Sequence, residues 1–290
     1  MREAHEPQPT DGPDASVDID RVDELVNPLM MEAGRIAMRW FRSPVEVPIV
    51  NKSAGGFDPA TDADRTTESY LRGELSRLFP DTEIVGEEGG ATGRPGRVRW
   101  LIDPIDGTKA YLSGLPLWGV LLGLLVDGRP VGGWCRQPHL DETFGAVGAQ
   151  GWVEHAGSRR PLRTRATTDL TRATMYSTHP SMFVRPWEQA AFEGLAGAAR
   201  VQRFGGDCYL YCLLALGHID LVVEASMEPY DIVPLVPIVQ AAGGVVTGPE
   251  GEAPTAGGFV VAAATRELHT QALEMVAAAR ARNSPREDLL

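Results

Sequence analysis

The spacing of apolar residues changes along the chain, and this change limits the folds that the chain can adopt. Helical spacing dominates up to residue 78, short strand-like runs follow to about residue 147, and helical and strand-like segments then alternate. This order predicts an α/β fold, with an N-terminal α+β half that contains an antiparallel sheet and a C-terminal α/β half.

The individual elements follow from the same patterns. We predict helices over residues 22–40, 62–78 (starting at Thr61 or Asp62), 187–195, 207–216, 231–242 and 266–279. We predict strands over residues 83–85, 98–102, 118–126, 131–135, 143–147, 173–177, 221–224, 244–246 and 259–262. Asp127-Gly128 between two strands is typical of a tight hairpin turn. Pro234 lies in the first turn of the helix 231–242, where it tends to kink the helix.

The segments differ in composition as well as in period. Residues 1–17 are acidic, rich in proline and without periodic apolar positions, and are predicted to be a disordered tail. We place an N-terminal α+β half at 18–160, a C-terminal α/β half at 161–284 and a short tail at 285–290. The boundary near residue 160 falls in the basic turn 158–165.

The charge and the cysteine content exclude several classes of protein. The 27 Lys and Arg residues against 39 Asp and Glu give a net charge of −12, which argues against nucleic-acid binding. The longest apolar stretch, 115–126, is too short to span a membrane. Three cysteines are too few for a disulfide framework and fit a reducing cytoplasm. We therefore expect a cytoplasmic protein that binds neither nucleic acid nor membranes.

The segment 103–108, Asp-Pro-Ile-Asp-Gly-Thr, is the most informative of the chain. It follows an apolar strand and places Asp103 and Asp106 three residues apart, where their carboxylates and the Ile105 carbonyl could face one Mg²⁺ ion. If a short helix begins after Gly107, the N–H groups of Gly107 and Thr108 could hold a phosphate. The alternative is a simple turn, which these residue types also favour.

Three other acidic segments share this position at the end of a strand or the start of a helix. They are Gly86-Glu87-Glu88-Gly89, the spaced set Asp58, Thr61 and Asp64, and Glu228-Pro-Tyr-Asp231. Each has a plain explanation. An acidic turn such as 86–89 is usually solvated, Thr61, Asp62 or Asp231 could be an N-cap, and Asp64 could complement a helix dipole. Together they could gather carboxylates at one sheet edge, where α/β proteins bind ligands.

The combined motifs resemble the inositol monophosphatase superfamily of Mg²⁺-dependent phosphomonoesterases. The segment 103–108 is similar to its first signature, and Tyr230-Asp231 with Ala-Ala-Gly-Gly at 241–244 is similar to its second, which usually has Trp at position 230. Within the superfamily the chain is most similar to the histidinol-phosphate phosphatase branch. The segments that carry this second resemblance are 51–59, 115–119, 205–209 and 217–224.

The resemblance implies a layered α-β-α-β-α sandwich, a homodimer and a phosphatase of histidine biosynthesis. It implies two Mg²⁺ ions, with a third, loosely held ion near Glu87 as an open alternative. The implied metal ligands are Glu87, Asp103, the Ile105 carbonyl, Asp106 and Asp231. Thr108, paired with Asp58 and close to Glu87, would orient and help deprotonate the attacking water, and Gly107 and Thr108 would bind phosphate.

Several substrates remain open, because they differ in the alcohol part of the phosphate ester. By resemblance Glu224 reaches this part, and Glu224 and Asp207 could pair with the ammonium and imidazole of histidinol phosphate. Asp207 could instead be the N-cap of the helix 207–216. Other possible activities are an inositol monophosphatase, a broad sugar-phosphate phosphatase or a nucleotide 3′-phosphatase, and an inactive scaffold of the same fold is the alternative from another class.

Overall fold

The computed structural model describes residues 17–19, 21–43, 49–51 and 59–283. The two predicted tails, except Val17, and Asp58 lie outside the described residues. Within them the helices are α1 Val22–Ala37, α2 Asp62–Leu78, α3 Thr108–Leu112, α4 Pro186–Ala198, α5 Tyr209–Ala215, α6 Pro229–Ile232, α7 Leu235–Ala241 and α8 Arg266–Asn283. Short 3₁₀ turns occur at Leu170–Arg172 and Pro180–Met182.

The strands fall into three sheets. They are β1 Ile49–Asn51, β2 Pro59–Thr61, β3 Glu83–Gly86, β4 Gly90–Gly93, β5 Val98–Asp106, β6 Gly119–Val126, β7 Arg129–Gln137, β8 Glu142–Val147, β9 Gln150–His155, β10 Ser158–Pro161, β11 Thr174–Ser177, β12 Val201–Phe204, β13 Leu221–Met227, β14 Val245–Thr247 and β15 Gly258–Ala263. Strands β1 and β2 form a small antiparallel pair.

An eight-stranded sheet has the order β10-β9-β8-β7-β6-β5-β3-β4. All of its neighbours are antiparallel except β3 and β5, which are parallel. The turn between β6 and β7 is formed by Asp127 and Gly128, both with positive φ, at 50° and 73°. Both central residues of a type I′ hairpin turn require positive φ, so the predicted hairpin is confirmed.

A five-stranded sheet has the order β12-β11-β13-β15-β14. Strand β11 is parallel to β12 and β13, whereas β15 is antiparallel to β13 and β14. The alternation of helices and strands predicted for the second half is therefore present, and it builds a mixed sheet.

Alternating side chains along the strands divide the core into layers. Leu122 and Leu124 of β6 pack in the cluster that contains α1 and α2 residues, while Leu121 packs in the cluster that contains α5 and α7 residues. Val222 of β13 faces that same middle cluster, and Val223 faces the cluster under α4 and α8. The layers thus run α1/α2, sheet, α5/α7, sheet, α4/α8, which is the α-β-α-β-α sandwich.

Helices α1, α4 and α8 differ from their predicted ends by one to four residues, and two predicted helices beside the cavity differ more importantly. The helix predicted over 231–242 is interrupted, because α6 ends at Ile232 and α7 begins at Leu235. Pro234, which has no N–H to continue the helix, is the residue before α7. The helix predicted to start at residue 207 starts at Tyr209 instead. No helix among the described residues is long and apolar enough to cross a membrane.

Candidate active site

The ends of several elements enclose a cavity of about 670 Å³ between the two large sheets. Its wall includes the residues at the end of β5, the turn after β3, the start of α6 and the middle of β13. The sequence-predicted residues in this wall are Glu87, Asp103, Ile105, Asp106, Gly107, Thr108, Asp207, Glu224 and Asp231. Of the predicted site residues only Asp58 cannot be placed, since it lies outside the described residues.

The turn at the end of β5 sets the position of the first carboxylates. The side chain of Asp103 accepts a hydrogen bond from the Ile105 N–H at 3.0 Å, and the hydroxyl of Thr108 donates to the Ile105 carbonyl at 3.1 Å. Gly107 has a φ of 85°, a left-handed conformation that favours glycine, and α3 follows it directly. The segment is therefore a turn, and the same turn brings two aspartates into the cavity.

Asp103, Asp106 and Asp231 form an acidic cluster. One carboxylate oxygen from each lies within 4.8 Å of the others. Burial raises the pKa of Asp103 well above its ordinary value, and the charges of Glu87, Asp106 and Asp231 raise it further. Grouped, desolvated carboxylate oxygens are the donor set that a hard divalent cation prefers. The cluster therefore fits a metal ion.

Backbone groups hold two members of this cluster in place. The Cys208 N–H donates to Asp106 Oδ1 at 2.9 Å. Asp231 is the third residue of α6 and accepts a hydrogen bond from the N–H of Glu228, the N-cap, at 2.8 Å. The interpretation of Asp231 as the N-cap itself is therefore wrong, although its carboxylate does belong to a capping box. Burial raises the pKa of Asp231 to about 7.

Glu87 is positioned by a residue that the sequence analysis missed. The Glu87 N–H donates to the Ile102 carbonyl of β5, and the next two N–H groups, of Glu88 and Gly89, donate to the Glu68 carboxylate of α2 at 2.8 Å each. Glu68 is buried and pairs with Arg72 at 2.7 Å. Its position on the apolar stripe of α2, in line with Leu71 and Leu75, is the sequence signal that could have identified it.

Glu224 is a buried carboxylate outside this group of three, although, besides burial, its charge raises the pKa of Asp106 and of Asp231. Its two oxygens accept hydrogen bonds from the Thr178 N–H at 2.9 Å and from the Tyr211 hydroxyl at 3.0 Å. Burial raises its pKa to about 7, with the charge of Asp207 contributing in the same direction. The sequence analysis named Glu224 but missed both of its partners.

Asp207 is not the N-cap that one interpretation of the sequence predicted. The residue at the N-cap position of α5 is Cys208, and Asp207 has a left-handed φ of 46°. Its carboxylate lies against Gly107, where an added Cβ would come within 3.0 Å of the Asp207 carboxyl carbon. Burial raises the Asp207 pKa to about 6, while the positive charge of Lys109 lowers it. Of the described residues that line the cavity, only Lys109 is a cation.

Asp64 is a further buried carboxylate, located at the start of α2. One oxygen accepts hydrogen bonds from the N–H and the hydroxyl of Thr61, which is the N-cap, as the simple interpretation predicted. The other oxygen, Oδ1, is buried and has no hydrogen-bond partner among the described residues. Burial raises the Asp64 pKa to about 6, and the charges of Glu88 and Glu87 add to this effect.

The wall of the cavity is partly apolar. Met182, Val184 and Met227 line it together with the carboxylates. The Ser226 hydroxyl, on a residue with a left-handed φ of 59°, donates to the Met182 carbonyl at 2.9 Å and ties this wall to β13. The cavity therefore combines an acidic floor with an apolar side.

Comparisons with known proteins agree with this architecture. A sequence model of the inositol monophosphatase family matches residues 18–283. The chain is 37% identical over 207 residues to a histidinol-phosphatase of Mycobacterium tuberculosis, covering 70% of this chain and 79% of that protein. It is 33% identical over 276 residues to the chloroplastic bifunctional phosphatase IMPL2 of Arabidopsis thaliana, covering 90% of this chain and 76% of that protein.

Solved structures give the same result. An inositol monophosphatase from Zymomonas mobilis superimposes with a TM-score of 0.77 at 32% identity, covering 90% of this chain and all of that one. The relatives have different activities in their names, so their likeness establishes the family rather than the substrate. The chain belongs to the inositol monophosphatase family.

Proposed function

We propose that the protein is a Mg²⁺-dependent phosphate monoester hydrolase whose substrate is histidinol phosphate, within histidine biosynthesis. The observation that supports this most strongly is that the cavity holds two further carboxylates beside the metal cluster, so that it has two neighbouring acidic regions. One is the cluster of Asp103, Asp106 and Asp231 beside Glu87, and the other is the pair Glu224 and Asp207. The first region suits metal ions, which leaves the second available for a cationic substrate group.

The first region supplies the residues that would hold two Mg²⁺ ions. Glu87, Asp103 and the Ile105 carbonyl would bind one ion, and Asp103, Asp106 and Asp231 the second, with Glu87 beside any third. When bound, Mg²⁺ lowers the pKa of a coordinated water and neutralises phosphoryl oxygens. The protein's own contribution is to hold these ligands rigidly through the turn after β5, the capping box of α6 and the Cys208 N–H.

The residues that follow Asp106 would bind and orient the reacting groups. The N–H groups of Gly107 and Thr108 would bind phosphoryl oxygens, and the hydroxyl of Thr108 would orient the attacking water. The carboxylate that works with Thr108 to take up the proton of this water would be Asp58, as the resemblance implies, or Asp64. The buried Oδ1 of Asp64, which has no hydrogen-bond partner among the described residues, supports Asp64. Asp64→Asn and Asp58→Asn distinguish them, because replacing the partner should lower kcat by about 100-fold or more.

The second acidic region supports a cationic substrate over a neutral polyol. Glu224 and Asp207 carry two negative charges when ionised, and Lys109 balances one of them, so a single cationic nitrogen would complete the charge balance. The apolar side, Met182, Val184 and Met227, suits a carbon skeleton or an imidazole ring better than a ring of hydroxyls. Histidinol phosphate has this combination, whereas inositol phosphate has only hydroxyls on its ring.

A phosphate-release panel with Mg²⁺ tests the proposal. We expect kcat/KM for histidinol phosphate to exceed that for inositol 1-phosphate, fructose 1,6-bisphosphate and adenosine 3′,5′-bisphosphate by at least about tenfold. Glu224→Gln should lower kcat/KM for histidinol phosphate by a larger factor than for p-nitrophenyl phosphate. The difference between the two substrates should lie in KM rather than in kcat. A preference for any of the other three esters would assign the substrate to that class, and no release from any of them would favour a scaffold.

The family resemblance also leads us to propose a homodimer located in the cytoplasm. Sedimentation of the purified protein measures the first of these properties directly, and a monomer at micromolar concentration would contradict it.

A further inference from the structure

Thr178 contacts both carboxylates of the second acidic region. Its N–H donates to Glu224 Oε1 at 2.9 Å, and its hydroxyl oxygen accepts a hydrogen bond from the Asp207 N–H at 3.1 Å. Glu224 and Asp207 belong to different elements, β13 and the segment before α5. One residue at the cavity wall therefore connects the two residues that the proposed function assigns to the substrate.

The backbone around Thr178 is fixed from both sides. The hydroxyl of Ser177, at the end of β11, donates to the Val223 carbonyl of β13. The Gly205 N–H donates to the carbonyls of both Ser177 and Thr178 at 3.0 Å each. These contacts hold Thr178 against the strand that carries Glu224 and against the loop that carries Asp207, so its position does not depend on substrate.

Asp207 needs such support. Its φ of 46° is in the left-handed region, which costs free energy for a residue other than glycine, although Asp tolerates it better than most. The hydrogen bond from its N–H to the Thr178 hydroxyl stabilises this conformation, and the conformation in turn directs the carboxylate toward Gly107 and the cavity. The Asp207 carboxylate also accepts a hydrogen bond from the Gly206 N–H, so loss of the Thr178 hydroxyl should shift Asp207 relative to Glu224 rather than release it.

We propose that Thr178 is a positioning residue that sets the separation of Asp207 and Glu224, and so determines selectivity for phosphate esters of cationic alcohols. This inference rests on the proposed function, because it concerns the same cavity. The hydroxyl holds the backbone of Asp207 and, against the effect of burial, also lowers the pKa of Glu224 by hydrogen bonding, and the amide holds the Glu224 carboxylate. Neither hydrogen bond involves Asp103, Asp106 or Asp231 directly, although Asp207 precedes Cys208, whose N–H donates to Asp106.

Binding of histidinol, the cationic alcohol without its phosphate, to the Mg²⁺-loaded protein tests this role without requiring turnover. By calorimetric or NMR titration, Thr178→Val, which keeps the shape but removes the hydroxyl, should weaken histidinol binding about five- to tenfold. Thr178→Ser restores the hydroxyl and should bind within about twofold of the wild type. Thr174→Val, on the preceding strand but outside the cavity wall, is the matched control and should bind as the wild type does.

A double-mutant cycle distinguishes positioning from direct contact with the ligand. In an Asp207→Asn background, where the charge is gone but the left-handed conformation is still tolerated, Thr178→Val should change histidinol affinity less than twofold. A five- to tenfold loss that persists in this background would mean that the Thr178 hydroxyl does not act through Asp207, and the proposal would be wrong. Equal histidinol affinity in the wild type and Thr178→Val, or no histidinol binding to the wild type, would also overturn it.

Kinetics provide a second test. Thr178→Val should raise KM for histidinol phosphate at least about fivefold more than it raises KM for p-nitrophenyl phosphate. Thr178→Ser should show no such difference between the two esters. An equal rise for both esters would overturn the positioning role. Phosphate release by the wild-type protein tests the proposed function separately. If the protein released no phosphate but showed the expected histidinol affinities, the positioning role of Thr178 would stand and the proposed hydrolase activity would be wrong.

Discussion

Asp231 combines a structural hydrogen bond with a place in the acidic cluster, and the two can be separated by Asp231→Asn. The amide oxygen can still accept the Glu228 N–H, but one charge of the repelling cluster is removed. In EDTA the variant should therefore melt about 2 °C above the wild type, equivalent to about 1 kcal/mol. The rise in Tm on adding Mg²⁺ should be much smaller for the variant than for the wild type, and its kcat should be lower by at least about 100-fold. Differential scanning calorimetry and phosphate release measure these changes.

Asp169→Asn is the matched control for this experiment. Asp169 is an exposed aspartate that caps the 3₁₀ turn Leu170–Arg172, far in sequence from the cluster. Its replacement should leave the response to Mg²⁺ unchanged. If Asp231→Asn kept the full Mg²⁺ response, Asp231 would not be a metal ligand.

Glu68 supports the turn that carries Glu87, and its replacement should affect both stability and activity. Glu68→Ala removes a buried carboxylate and leaves Arg72 and the partly buried N–H groups of Glu88 and Gly89 without it. We expect a loss of about 3 to 5 kcal/mol in the free energy of unfolding, measured in urea, and weaker Mg²⁺ binding.

Glu74→Ala on the same helix provides the comparison. Glu74 pairs with Arg77 at the surface, where the Arg77 side chain is 64% exposed, so its loss should cost less than about 1 kcal/mol. Similar losses for the two variants would show that Glu68 does not hold the turn.

The positions of residues near each other in sequence could be predicted, whereas contacts between distant segments could not. Asp103, Asp106 and Gly107 lie within one turn, and their common location follows from the turn itself. Glu68 and Glu88 are separated by 20 residues, and Thr178 and Glu224 by 46. These pairs meet only because the fold brings together elements that are distant in sequence, α2 with the turn after β3 and β11 with β13.

At the scale of elements, the interruption between α6 and α7 is packed against β7 at Gly133. A Cβ added at Gly133 would lie 1.9 Å from the carbonyl oxygen of Pro234, in backbone that has little room to move. Gly133→Ala should therefore lower the free energy of unfolding by at least about 2 kcal/mol. Because Pro234 lies between Ile232 and Leu235, the displacement should also disturb Asp231 and weaken Mg²⁺ binding.

Gly73→Ala should have the opposite effect on stability for the same chemical change. Gly73 lies within α2, and an added Cβ would meet nothing within 4 Å. Alanine is the better helix former by about 1 kcal/mol, so the variant should be more stable. Urea unfolding of the two variants compares them, and destabilisation by both would show that the packing of Gly133 against Pro234 is not the cause.

Elements with a buried stripe were predictable, and elements without one were not. Helix α2 and strand β6 bury one or both faces and were predicted within about one residue of their bounds. Strands β4, β10 and β12 are largely exposed and have no alternation of buried and exposed residues, so nothing in the sequence distinguished them from loops. The break at Pro234 was indicated only as a kink.

At the scale of the whole molecule, the two halves share a core. Leu121 and Phe144 of the first sheet pack in one cluster with Tyr211 and Val222 of the second half. We therefore propose the boundary near residue 160 as a division between sheets rather than between independently folding units. The net charge of −12 includes the carboxylates of the cavity, whose mutual repulsion opposes folding when no cation is bound.

The burial and the mutual repulsion of these carboxylates make the free energy of unfolding depend on pH. Burial raises the pKa of Asp231 and Glu224 to about 7 and that of Asp207 to about 6. Between the ordinary carboxyl value, about 4, and pH 7, the folded state binds more protons than the unfolded state. The contribution of these groups to the stability of the metal-free protein should therefore be greatest below pH 4 and decline as the pH rises to 7.

Mg²⁺ should reverse this trend, because it binds the ionised carboxylates. The rise in Tm on adding Mg²⁺ should be several degrees larger at pH 8 than at pH 5.5, since protons compete at the lower pH. Thermal melts at both pH values, with and without EDTA, measure the difference. An equal rise at the two pH values would argue that the cation binds elsewhere on the molecule.

The claim that the acidic cavity is the metal-dependent phosphatase site is tested most directly by one measurement of phosphate release. Histidinol phosphate is incubated with the protein after EDTA treatment and again after Mg²⁺ is restored, with Asp106→Asn as the comparison. We predict no release in EDTA, full recovery with Mg²⁺, and at least about a 100-fold lower rate for the variant. Undiminished release in EDTA, or wild-type activity in Asp106→Asn, would contradict the account.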